Sequence, residues 1–86
     1  MPTISEFFGI IITMYFLDHN PPHFHARYAG NKIAIDIKTG KIIEGKMPDK
    51  ELRFIEKWRE INKEKLLNNW DYVQNKIAPQ PIQPLE

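Results

Sequence analysis

The apolar residues of this chain change period once, near Gly45-Lys46-Met47-Pro48, and that change limits the fold more than any other feature. Before it, apolar positions alternate as they do on strands; after it, they recur at helical spacing. Ile10, Ile12, Met14 and Phe16 alternate with Ile11, Thr13, Tyr15 and Leu17, which predicts a strand apolar on both faces. Ile4 to Phe8 reads as the strand before it, and Gly9 marks a turn or bulge between them. Phe24, Ala26 and Tyr28 alternate with His23, His25 and Arg27; Gly30-Asn31 then offers a turn, and Ile33, Ile35 and Ile37 alternate with Ala34, Asp36 and Lys38. Thr39-Gly40 turns the chain again into Lys41–Lys46.

Beyond Pro48, Leu52, Ile55 and Trp58 form one stripe, widened by Phe54 and Ile61. Leu66, Trp70, Val73 and Ile77 form a second, and Asn62 lies between two stripes that do not share a face. The expected fold is therefore α+β, one domain over 1–86. An antiparallel sheet of four to five strands, about 3–47, precedes two helices, about 49–61 and 63–77, packed on one of its faces. The Pro-rich tail, 79–86, is expected to be extended.

Bulk properties exclude several function classes. A chain of 86 residues without cysteine has no disulfide, no thiolate metal site and no cysteine nucleophile. Its net charge of +1 makes no global electrostatic case for nucleic acid. The longest apolar stretch, Gly9 to Leu17, falls well short of the ~20 residues of a spanning helix, and no signal peptide is visible, so the expected location is cytoplasmic with no membrane partner. Ser5 is the only serine and sits in no nucleophile elbow, and neither Gly40 nor Gly45 opens a phosphate-cradling loop.

The concentrated chemistry is Asp18-His19-Asn20-Pro21-Pro22-His23-Phe24-His25. With Gly30-Asn31 as the loop, Ala26 is expected opposite Ile35 and Phe24 opposite Ile37, which puts the apolar pairs on one face. The same register sets Arg27 opposite Ala34, His25 opposite Asp36 and His23 opposite Lys38 on the other face. His23 and His25 would then stand about 7 Å apart at Cα, pointing the same way. Asp36 would accept a bond from His25 and orient it.

Three readings of this patch stay open. In acid–base chemistry on a phosphate ester, His25 would be the base, His23 or His19 the acid, and Arg27 and Lys38 the phosphate-binding cations. In a metal site, His19, His23 and His25 would offer three nitrogens to a divalent transition metal such as zinc, leaving a position for water. In the third, the histidines only dress a half-exposed strand. Tyr15 and Tyr28 offer stacking surfaces, with core packing the commoner use of such residues, and Trp58 and Trp70 read as core.

Pro2-Thr3-Ile4-Ser5, Phe8-Gly9-Ile10, Met14-Tyr15 and Asp18 to Ala26 together resemble a small bacterial family, domain of unknown function four-one-six-zero. The likeness continues through Gly45–Pro48, Trp58, Trp70 and Ile82-Gln83-Pro84-Leu85. The resemblance implies a bacterial or phage-borne protein encoded beside another small domain, an arrangement like a toxin–antitoxin pair. It thereby favours a toxin-like component acting on RNA or a nucleotide and restrained by a small antitoxin-like protein. The alternative is a non-catalytic, antitoxin-like adaptor that docks through its helices.

Overall fold

The computed structural model describes residues 2–86. Five strands come first: β1 (Thr3–Phe7), β2 (Ile10–Thr13), β3 (His23–Tyr28), β4 (Asn31–Asp36) and β5 (Ile42–Gly45). Each pairs antiparallel with the next, so the sheet is a meander in chain order. One helix, α1 (Asp49–Gln74), then crosses one face and comes nearest to β3. The α+β class, the antiparallel sheet and the C-terminal position of the helical part are as expected.

The β3–β4 turn differs from the expected one. Ala29 and Gly30, at φ of 46° and 84°, form the loop, and Tyr28 pairs with Asn31. Positive φ at both loop residues gives the twist that a two-residue hairpin needs. Pattern reading reserves that conformation for Gly or Asn and so passes over Ala29. Every expected pair therefore moves two positions along β4. Ala26 faces Ile33, Phe24 faces Ile35, His25 faces Ala34 and His23 faces Asp36. An even shift leaves each side chain on its expected face.

Two expected helices are one. Asn62 leaves the helical region, at φ −112° and ψ 19°, but its side-chain Nδ2 donates to the Trp58 carbonyl at 3.0 Å and the helix runs on through a kink. The kink lets both stripes reach the same core: Ile55 and Trp58 before it, Leu66, Trp70 and Val73 after it, all against Ile12, Phe24, Ala26, Ile33 and Ile35. The helix ends at Gln74, short of the expected 77, and Ile61 and Ile77 are exposed.

β2 stops at Thr13 and does not continue to Leu17. Met14 stays buried, whereas Phe16 and Leu17 turn outward as the chain leaves the sheet. The tail returns to the open side of β1, where Ile82 donates to the Ile4 carbonyl at 2.8 Å. Asn69 holds Gln80 through both its amide atoms, and the Trp58 indole donates to the Gln83 carbonyl. No helix among the described residues is long and apolar enough to cross a membrane.

Candidate functional site

β3 begins beside the last turns of α1, and its first and third side chains leave the strand on the same side, their ring centroids 5.1 Å apart. His23 is 9% exposed and packs on Trp70, with ring centroids 5.2 Å apart; His25 is half-buried beneath Tyr15, with centroids 4.1 Å apart. The loop between β2 and β3 then folds Asp18 over both rings. Two contacts with the helix end fix that loop: Leu17 donates to the Val73 carbonyl, and the Gln74 side chain donates to the Asp18 carbonyl. The Asn20–Pro21 peptide within it is cis.

Asp18 Oδ2 lies 2.9 Å from His23 Nε2 and 3.2 Å from His25 Nε2. His23 Nδ1 donates to the Pro21 carbonyl at 2.7 Å. That bond fixes a proton on Nδ1, because a carbonyl only accepts. Nε2 of neutral His23 then carries a lone pair aimed at a carboxylate oxygen, and two acceptors at this distance repel. A metal ion between the two atoms turns that repulsion into shared coordination.

Burial pushes the Asp18 carboxyl up. The amide of His19, the hydrogen bond from His25, and the charge and hydrogen bond of His23 outweigh it and hold the group below the usual carboxylate value. Asp18 is thus an anion, available to a cation.

The distances also suit a metal. Ligands roughly 2.0–2.2 Å from a transition metal are about 2.9 Å apart at right angles and about 3.4 Å apart in a tetrahedron. The two carboxylate–imidazole distances fall in that span. Among the described residues, Asp18, His23 and His25 form the one group of three whose donor atoms all lie within 4.8 Å of one another. A shallow depression of about 340 Å³ opens beside them, lined in part by Tyr15, His19, Ala34 and Glu44.

The other expected site residues separate from this centre. Asp36 does not meet His25: its carboxylate accepts the amides of Lys38 and Thr39, at 2.8 and 3.1 Å, and shapes the β4–β5 turn. Lys38 belongs to that turn and does not line the depression. His19 is exposed at its rim, where its amide, not its ring, binds Asp18. Arg27 shares the face of His25 one pair further along, opposite Lys32. Sequence reasoning missed Asp18 as the partner. Its position five and seven residues before the two histidines was a usable signal, but no strand register connects a loop carboxylate to them.

A family model described as "Domain of unknown function (DUF4160)" matches residues 9–71, which include the whole His–Asp centre and most of α1. The chain belongs to this family. Neither a curated protein nor a solved structure matches it. In this DUF4160 chain the matched span carries the carboxylate, both imidazoles, the Trp70 packed on His23 and the depression-lining Tyr15 and Glu44.

Proposed function

We propose that Asp18, His23 and His25 bind a divalent transition metal such as zinc, and that the DUF4160 chain is a small metal-dependent hydrolase of phosphate esters. The observation that carries the reading is the convergence of Asp18 Oδ2 with two Nε2 atoms while the Pro21 carbonyl fixes the far nitrogen of His23. A backbone carbonyl on the remote N–H is the usual way a ligating histidine is oriented and made more basic. Three protein ligands leave a position open, and a metal bound there supplies Lewis acidity and a water of lowered pKa. Glu44 stands across Ala34 from His25 in the ladder and lines the same depression, where it can take up a proton without ligating. Tyr15, lying on the His25 ring, walls one side.

The physiological setting that suits this chemistry is a toxin-like protein acting on RNA or a nucleotide, held in check by a small protein partner. Calorimetric titration of tag-free protein with zinc is expected to give one site per chain, lost in His25→Ala. Induced expression should slow growth for the wild type and not for His25→Ala. Protein that takes up no zinc, nickel or manganese ends the metal reading, and equal growth of both strains ends the toxin reading.

A protein-binding module is the second reading, favoured by β5. That strand is exposed along its whole length, carries Ile42 and Ile43, and among the described residues has no strand beyond it. An open edge of this kind accepts another strand. If it is the functional surface, a partner complex seen by size exclusion survives His25→Ala and is lost when Ile43 becomes Lys.

A further inference from the structure

The helix-free face carries a second feature that the metal centre does not use. Arg27 and Lys32 are direct cross-strand partners on β3 and β4. Like charges placed opposite one another destabilise a sheet. Among the described residues neither has a carboxylate at ion-pair distance; the ion pairs are those of Asp18 with the two histidines and of Glu56 with Arg59. Nε of Arg27 is buried with no hydrogen-bond partner among the described residues. A second buried atom without a partner, the Thr13 hydroxyl, belongs to the residue opposite His25 on the other side of β3. Buried donors are paired as a rule, and a guanidinium whose Nε is sheltered without a partner leaves its outer nitrogens, the ones not buried, to an acceptor from outside the chain.

The surroundings say what that acceptor is. Lys32 stands between two depressions, of about 280 and 260 Å³. One runs past His25 and Tyr15 to Glu44, and the other is lined by Arg27, Gly9 and Gly30. Lys46, next after the Gly45 that pairs with Ile33, adds a third cation at this end of the sheet. A planar guanidinium beside an exposed ammonium, neither of them in an ion pair although Glu44 lines the same depression as Lys32, suits the tetrahedral oxyanion of a phosphate. Arg27 is two residues from His25 on the same strand and face, so a phosphate held there lies on the order of 7 Å from the reactive centre.

We infer that Arg27 and Lys32 form a phosphate-binding subsite that holds the non-reacting phosphate of the substrate beside the Asp18–His23–His25 centre. The inference rests on the reading of that centre as the reactive one and adds the substrate class: a molecule with a phosphate next to the ester that is cleaved. Polymer and monomer share this chemistry. A short single strand of RNA has such phosphates in series, and a nucleoside diphosphate has two in one molecule.

Fluorescence anisotropy of a labelled ten-nucleotide RNA, with a nucleoside diphosphate as competitor, tests this on the full chain. Arg27→Gln and Lys32→Gln are each expected to weaken binding about fivefold to tenfold and to lower the salt slope by about one. Lys57→Gln, on the exposed side of α1, keeps wild-type binding. Competition by the diphosphate at micromolar concentration identifies a monomeric ligand, and its failure identifies a polymer; both outcomes support the subsite. Lys32 is exposed, so its variant remains informative if Arg27→Gln melts early. Wild type that ignores both probes at low salt, or variants that bind no worse than Lys57→Gln, overturns the proposal. Zinc titration of the same proteins separates the two ideas. Loss of RNA binding with zinc uptake intact speaks to the subsite alone, and absent zinc uptake with Arg27-dependent RNA binding removes only the metal.

Discussion

Asp18 has two jobs that a substitution can split. Asn keeps its shape and its bond to the His19 amide but removes the charge that faces His23 and His25. Asp18→Asn is therefore expected to weaken zinc binding by more than the roughly tenfold to hundredfold typical of an outer-shell partner. His19→Ala, which takes away only an exposed ring, should leave the affinity within about twofold, a small change by the same comparison. Competition with a chromophoric chelator measures both. An equal loss in His19→Ala would return His19 to the ligand set, and an unchanged affinity in Asp18→Asn would remove Asp18 from it. At this scale the sequence was half legible. Pleat parity alone places His23, His25 and Arg27 on one face, and an even register shift preserves it. The identity of the carboxylate was not legible, because Asp36 is drawn into its own turn by two backbone amides, while Asp18 arrives from a loop whose path depends on Val73 and Gln74, more than fifty positions away.

Among the elements, strands were easier to read than their ends or the helix. Alternation depends on local side chains, whereas the end of β2 depends on Thr13 being the last residue with a partner on β3. The two helical stripes are real in the sequence, and a kink at Asn62, not a break, brings both to the core. β5 ends at Gly45 with φ of 87°, and a Cβ added there would run into the Lys32 carbonyl. Gly45→Ala is expected to cost about 1–3 kcal/mol in urea unfolding, the range for a strained backbone position. No loss would mean that β5 does not pack on β4 as described. The tail depends on one side chain in the same way. Asn69, 1% exposed, binds both the amide and the carbonyl of Gln80. Asn69→Ala leaves those groups unpaired, at about 1–3 kcal/mol, and should raise hydrogen exchange at the Ile82 amide, which pairs with β1. Unchanged exchange would show the tail to be held by Ile82 and Trp58 alone.

For the whole molecule, size decides how much the centre matters. A chain of 86 residues buries a modest core and has no disulfide to add to it. The centre joins the β2–β3 loop to the first strand of the site, and through Leu17 and Gln74 that loop is tied to the end of α1. A metal bound by Asp18, His23 and His25 therefore braces three parts of the fold: the loop, β3 and the last turn of the helix. Binding only to the folded chain at a free metal concentration a hundred times Kd adds about 2.7 kcal/mol. For a domain of this length that corresponds to a rise in Tm of roughly 10–20 °C. Calorimetric melting with and without a chelator should show that shift for the wild type and for Lys32→Gln, and none for Asp18→Asn. Arg27 and Lys32 take no part in the brace, so a chelator-sensitive melt that also depended on them would place the cation elsewhere on the helix-free face. A wild-type melt indifferent to both zinc and chelator removes the metal from the centre and leaves the loop held by its contacts with Val73 and Gln74.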